Sequence, residues 1–383
     1  MSWPKVKLES LVKISKGKKH SLSERPTSTR YIQIDDLRND DLIKYTNDEA
    51  GVFVKKRDVI IAWDGANAGT IGYGLEGLIG STLAKLSIVN PEVDTEYLAR
   101  FLQSKFREIR DNCTGATIPH VSRAHLISLE IPFPSLKEQK RIAAILDKAD
   151  TTRRKRQQAI QLADDFLRSV FLDMFGDPET KGWEITTVEK VAESTKGSMR
   201  TGPFGSQLLH SEFVEKGIAV LGIDNAVENK FKWGKQRFIT EEKYQQLKRY
   251  TVKPDDVIIT IMGTCGRCAV VPEDIPTSIN TKHICCITLD KDKCLSSFLH
   301  SYFLYHPDCQ KYLATNTKGA IMAGLNMGIV KGIPVPLVPL NLQVKYDSMA
   351  RRLNGLSKEL SEHKESGNSL FNSLSQKAFA GEL

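Results

Sequence analysis

The chain lacks any apolar run long enough to span a bilayer, and its opening Met-Ser-Trp-Pro-Lys-Val-Lys lacks the apolar stretch of a secretory leader. No membrane segment or export signal is therefore expected, and the expected location is the cytoplasm. Cysteine is sparse: seven among 383 residues, an odd number without framework spacing, which suits a reducing compartment rather than a disulfide scaffold. Enzyme motifs are missing as well. There is no Asn-Pro-Pro-aromatic or Asp-Pro-Pro-Tyr tetrapeptide, no Gly-x-Gly-x-x-Gly after a strand and no Gly-x-x-x-x-Gly-Lys-Ser/Thr phosphate loop. Pro254-Asp255 and Pro307-Asp308 lack a following Glu-x-Lys on a plausible strand. His20, His120 and His283 have no Ser, Cys or carboxylate constellation beside them in the sequence. Catalysis by this chain alone is not expected.

A metal site is weighed at Cys265-Gly-Arg-Cys268 with His283 and Cys285-Cys286 downstream. Structural zinc takes two ligand pairs, and adjacent cysteines on a strand point to opposite faces. Small buried hydrophobes are the better reading, so no metal is expected. What the chain does have is charge: a formal net +8 with a pI near 9.0, an excess that suits a polyanion such as nucleic acid.

It also has an internal repeat. Gly115-Ala116 returns as Gly319-Ala320, Ile131-Pro132 as Val335-Pro336, Leu136 as Leu340, Gln139 as Gln343, Ser169 as Ser373 and Phe175 as Phe379, all at an offset of 204. Each copy runs from a loop through an apolar strand ending at proline into a long helical segment. In the first, Leu146, Arg153, Ile160, Leu167 and Met174 fall seven apart, with Ala149, Arg156, Ala163 and Val170 between them. That is a coiled-coil seam interrupted by arginine. The second copy offers Leu353, Leu360 and Leu374 with Leu356 and Leu370, and His363 and Gly367 as weak members. A run from Leu136 to Gly176 would extend roughly 60 Å. Two such amphipathic helices can cover each other's stripe, although each could instead cap its own domain.

The segments before the helices repeat with drift. Trp3 to Leu11 answers Trp183 to Val191, Asp58-Val-Ile-Ile61 answers Asp256-Val-Ile-Ile259, and Tyr97, Leu98, Phe101 and Leu102 answer Phe298, Leu299, Tyr302 and Phe303. The growing offset places insertions in the second domain, mostly before Asp256. In the first domain, strands are expected at Val59 to Ala62, Leu83 to Val89 and Ile127 to Ile131, and one helix over Asp94 to Asn112. The predicted architecture is α+β: two similar mixed domains, 1–134 and 179–339, separated by two long antiparallel coiled-coil helices, 135–178 and 340–383, in a pseudo-two-fold repeat.

Three stretches carry a family resemblance: Ile131-Pro-Phe-Pro-Ser-Leu-Lys-Glu-Gln-Lys-Arg-Ile142, Phe171-Leu-Asp-Met-Phe-Gly-Asp-Pro178 and Lys377-Ala-Phe-Ala-Gly-Glu-Leu383. With Thr201-Gly-Pro-Phe-Gly-Ser206 in the second domain, the chain resembles, over essentially its whole length, the specificity subunit of type I restriction–modification enzymes. It departs where Leu342 stands for Glu138. The resemblance implies a non-catalytic subunit in which each domain reads one half of a bipartite, asymmetric double-stranded DNA target. The helices would set the spacing and dock two methyltransferase subunits, which restriction subunits then join. S-adenosylmethionine, ATP and magnesium would sit on those partners, with no cofactor in this chain. A modification-only or other defence complex is an alternative setting, and a divergent methyltransferase or nuclease an alternative class.

Reading DNA takes Lys, Arg and hydroxyls for phosphates, and amides or guanidinium groups on loops for base edges. The candidates in the first domain are Lys16, Lys18, Lys19 and His20, then Asn67 and Thr70, then Thr117, His120, Ser122 and Arg123. In the second they are Lys196, Ser198, Arg200, Ser206, Arg267, Asn280, Lys282, Lys318 and Asn326. Arg153-Arg-Lys-Arg156 could be a solvated face, meet an acidic partner surface or face DNA phosphates.

Overall fold

A computed structural model of the chain describes residues 3–24, 28–38, 42–115, 117–317 and 324–383, without the side chains of 317, 362–366 and 368. The chain folds as two compact units, residues 1–158 with 361–383, and residues 159–360. Each unit therefore holds one end of both long helices.

The first unit is built on a four-stranded antiparallel sheet in the order Val12–Lys16, Leu83–Ile88, Val59–Ala62, Ile71–Tyr73. Val59–Ala62 is buried on both faces, which is why it reads as an unbroken apolar run. A smaller sheet pairs Thr29–Ile32 in parallel with Gly77–Ile79 and adds Tyr45–Thr46 and Phe53–Val54 at its edges. The second unit repeats this plan. Its main sheet runs Met199–Thr201, Ile284–Ile287, Val257–Thr260, Cys268–Val270, and Ile218–Leu221 lies parallel to Ser278–Asn280. In both units a strand at the start pairs with the strand before the long helix: Lys5–Lys7 with Glu130–Pro132, and Ile185–Thr187 with Pro334–Pro336.

The long helices are Leu136–Phe175 and Leu340–Ala380. In the first unit Ile142, Ala143 and Leu146, near the start of one, share a core with Phe371, Leu374 and Ala378, near the end of the other. In the second unit Leu167, Phe171 and Phe175 share a core with Tyr346 and Ala350. The helices thus run antiparallel, and each ends against the domain that precedes the other helix. Phe379 meets Tyr97 and Phe101, while its repeat mate Phe175 meets Phe298.

The repeated glutamines fix each helix start. Gln139 accepts a bond from the Asp94 amide (2.9 Å) and donates to the carbonyls of Glu92 and Pro134. Gln343 does the same with the Leu295 amide (2.9 Å) and the carbonyls of Lys293 and Val338. Both are buried, so every polar atom of the amide serves the loop ahead of a helix.

Several sequence expectations need correction. The helix expected over Asp94 to Asn112 is two, Thr95–Ser104 and Phe106–Asp111; the break at Lys105 turns Ile109 into the core over Gly69. Ile127 lies in a short helix, Arg123–Ser128, and the strand starts at Glu130. The seam holds on the first long helix, where every member but Arg153 is buried or half-buried. On the second, Leu356 and Leu370 are exposed and their inward places go to Ser357 and Phe371, one residue on. A straight helix drifts about 20° per heptad from a 3.5-residue period, which produces such a slip. The seam arginines are accommodated in the first unit: Arg153 lies over the Phe371 ring, and Arg156 comes within 2.9 Å of where a Cβ on Gly367 would stand. Arg153 and Arg154 both donate to Asp150. Gly319, Ala320, Lys318 and Ala116 lie outside the described residues, as does the His363 side chain.

Candidate nucleic-acid interface

One end of the main sheet in the first unit gathers the expected loops. Lys16 ends the first strand, and Gly17 lies against the backbone of Ile79 and Gly80, where a Cβ would sit 2.3 Å from the Gly80 carbonyl oxygen. The turn from Asp64 to Thr70 follows Val59–Ala62 and holds Gly65 and Gly69 at positive φ. The loop after Gly115 returns to it: His120 and Thr114 exchange backbone bonds, and Gly65 donates to Pro119. The carboxylate of Asp64 joins them, bonding Nδ1 of His120 at 2.6 Å and Nζ of Lys16 at 2.8 Å. Burial pushes the Asp64 carboxyl up, but the His120 and Lys16 bonds outweigh it and hold the group below its ordinary value. Asn67 accepts from the Arg38 guanidinium, and Thr70 Oγ1 bonds the Asn67 carbonyl.

The equivalent end of the second unit uses other residues. Thr201-Gly202 takes the place of Lys16-Gly17, with Gly202 pressed on the Asn280 carbonyl. Met262 and Gly324 form the bridge that Asp64 and His120 form in the first unit. Arg267 holds the place of Thr70, each carbonyl accepting from the strand residue opposite, Thr260 or Ala62. The positions match while the chemistry differs.

The candidate residues divide accordingly. Lys16, Asn67, Thr70 and His120 come together in the first unit, and Arg267 and Lys282 lie at the corresponding end of the second. Lys18, Lys19 and Thr117 are exposed on the adjoining loops, Arg123 is exposed at the start of the short helix Arg123–Ser128, and Ser206 is exposed in a single 3-10 turn. Lys196 and Ser198 fall at the opposite end of the sheet, where Thr288 donates its amide to the Ser198 carbonyl. Three candidates are internal instead. His20 is buried and bonds Asp48; Asn280 is fully buried and donates to the Ile284 carbonyl at 3.0 Å. Arg200 is 8% exposed and bonds Asp256, Thr288 and the Thr251 carbonyl. Arg200 and Asn280 lie on strands, where a polar residue can face either side, and both face the core. Ser122 and Asn326 are repeat mates and helix N-caps, accepting from the amides of His125 and Ile329. Lys318 lies outside the described residues.

Sequence reasoning missed Asp64 and the segment Lys230-Phe-Lys-Trp-Gly-Lys-Gln-Arg237, although interleaved cations and aromatics in an inserted stretch were a usable signal. Arg237 lies near the reading end: burial first, then the charges of Lys282 and Arg237, hold the His283 imidazole below its ordinary value. The cysteines are packing groups, with Cys285 and Cys268 in one core and Cys286, on the other face of its strand, in another. Among the described residues no helix is long and apolar enough to cross a membrane.

A family model described as the type I restriction modification DNA specificity domain matches residues 2–162 and 181–366. The specificity subunit of the type I restriction enzyme MjaVIII of Methanocaldococcus jannaschii is 25% identical over an alignment covering 92% of this chain and 86% of that protein. That of the type I enzyme EcoBI of Escherichia coli is 23% identical, covering 100% and 86%. In fold, the chain is similar to the crystal structure of a type I restriction–modification S subunit from M. genitalium (TM-score 0.65, 18% identity, 99% and 96% covered). It is also similar to a chain from a structural study of type I complex assembly and conformational transition (TM-score 0.51, 16% identity, 100% and 98% covered).

Proposed function

This chain belongs to the type I restriction–modification DNA specificity family, and from that premise we propose that each unit reads one half of a bipartite, asymmetric DNA target. The carrying observation is a duplicated frame whose matching loop ends differ: Lys16, Asp64 and His120 in one unit, Thr201, Met262 and Gly324 in the other. Equivalent loops on equivalent sheets present different side chains to equivalent places, which is what reading two different half-sites requires. Lysines and arginines at these ends meet phosphates; Asn67 and His120 are placed with them for base edges.

In this reading the chain performs no chemistry. Two methyltransferase subunits dock on the long helices, and restriction subunits join that core. S-adenosylmethionine, ATP and magnesium belong to those partners, and the assembly works in the cytoplasm. Co-expression with the methyltransferase subunit encoded beside it, followed by mapping of adenine methylation in the host DNA, tests the proposal. A bipartite asymmetric motif with a fixed gap is expected. Absence of both methylation and co-purification of the two proteins would overturn it.

A further inference from the structure

The loop between the strands Ile218–Leu221 and Phe238–Ile239 is longer than its counterpart in the first unit (222–237 against 33–44). It is pinned at both sides of one residue. Asn225 Nδ2 donates to the Lys232 carbonyl at 2.8 Å and its own carbonyl accepts from the Lys232 amide. Beyond, Asp224 accepts from the Lys235 amide at 2.7 Å and from Arg237 Nη1 at 3.1 Å. Between these anchors stands Trp233, 49% exposed. Its ring meets Phe231 edge to face at 5.4 Å, and Phe231 in turn packs on a core that includes Ile258, Ala269, Ile284 and Cys286 of the main sheet.

A large indole left half in water keeps apolar surface that a partner can still bury, and a loop pinned by these hydrogen bonds has less ordering left to lose on contact. Lys230, Lys232, Lys235 and Arg237 alternate with Phe231 and Trp233 along the segment. The loop also adjoins the reading end, because Ile223 stands 3.2 Å from where a Cβ on Gly263 would lie, on the turn carrying Met262. Arg237 adds its charge beside Lys282 and His283.

We propose that Trp233 is a DNA contact of the second unit, packing its indole against sugar and base faces beside that half-site while the flanking cations meet phosphates. This rests on the DNA-reading function above and names a residue and a mode for it: an aromatic wedge supplementing hydrogen-bond readout. The first unit has no tryptophan in its counterpart loop.

The test uses the full chain co-purified with its methyltransferase subunits, as wild type, Trp233→Ala and Trp233→Phe. The duplexes carry the mapped motif, with 2-aminopurine at successive positions through and beside the second half-site. Wild type is expected to alter 2-aminopurine emission at one or two adjacent positions. Trp233→Ala should lose that signal and bind about tenfold more weakly, about 1.4 kcal/mol, at an unchanged salt slope and with the complex still folded and assembled. Trp233→Phe should keep most of both. Trp233→Ala binding DNA as wild type does, or shedding the methyltransferase subunits instead, would overturn the proposal. Wild type showing no preference for the motif would overturn the underlying DNA-reading function as well, a separate result.

Discussion

The two units secure the long helices by different chemistry at equivalent places. In the first, Arg100 is 4% exposed and bonds Asp147 and Asp150 of the long helix, each at 2.9 Å. The matching position in the second is Ser301, whose Oγ accepts from the Tyr346 hydroxyl at 2.8 Å beside an aromatic cluster of Phe171, Phe175, Phe298 and Tyr346. A duplicated frame tolerates either solution provided that each is internally complete. A buried guanidinium needs its carboxylates; an aromatic cluster needs its volume filled.

The largest way to break this comparison is Phe171→Ala, which opens a cavity in the aromatic cluster and should cost about 3–5 kcal/mol. Hydrogen exchange should show the second unit loosened and the first unchanged. Arg100→Ala should do the reverse at about 3 kcal/mol, the low end for breaking a buried pair, because Arg153 and Arg154 still hold Asp150. Acid sharpens the same contrast. Burial opposes ionisation of Asp150, yet its bonds to Arg100 and Arg153 hold its carboxyl down at about 2, against an ordinary 3.8. That contribution is full above the ordinary value and is lost as pH falls through the range between the two. Exchange protection should therefore fail first in the first unit as pH drops toward 2, and Arg100→Ala should reduce that dependence.

Where the units use the same device, equal effects are expected. Gln139→Ala and Gln343→Ala each strand two carbonyls and an amide, and should each cost about 1–3 kcal/mol by denaturant unfolding. Ser122→Ala and Asn326→Ala should each cost about 1 kcal/mol as lost caps, with exchange increasing in the short helices they start.

The glutamine equality was legible in the sequence alone, since the offset of 204 already pairs Gln139 with Gln343. The strands around Val59 and Val257 were legible from another signal: a short β-branched Val-Ile-Ile run suits a strand buried on both faces. What the sequence hid was facing. Arg200 and Asn280 look like loop-end polar residues, but burial against Asp256 and the Ile284 carbonyl makes them parts of the core. Asp64 joins the site through Lys16 and His120, residues far from it in the sequence that only the fold brings to its carboxylate. Ser122 and Asn326 carry side chains that suit either a base edge or a helix cap, and only backbone geometry separates the two.

The most direct test of the central claim is a domain exchange. Residues 1–134 are replaced by the corresponding segment of a relative, the chimera is co-expressed with the methyltransferase subunit, and adenine methylation is mapped across the genome. Independent reading by the two units predicts a motif changed in one half only, with the other half and the gap preserved. A motif unchanged, or altered in both halves, would contradict independent reading by the two units.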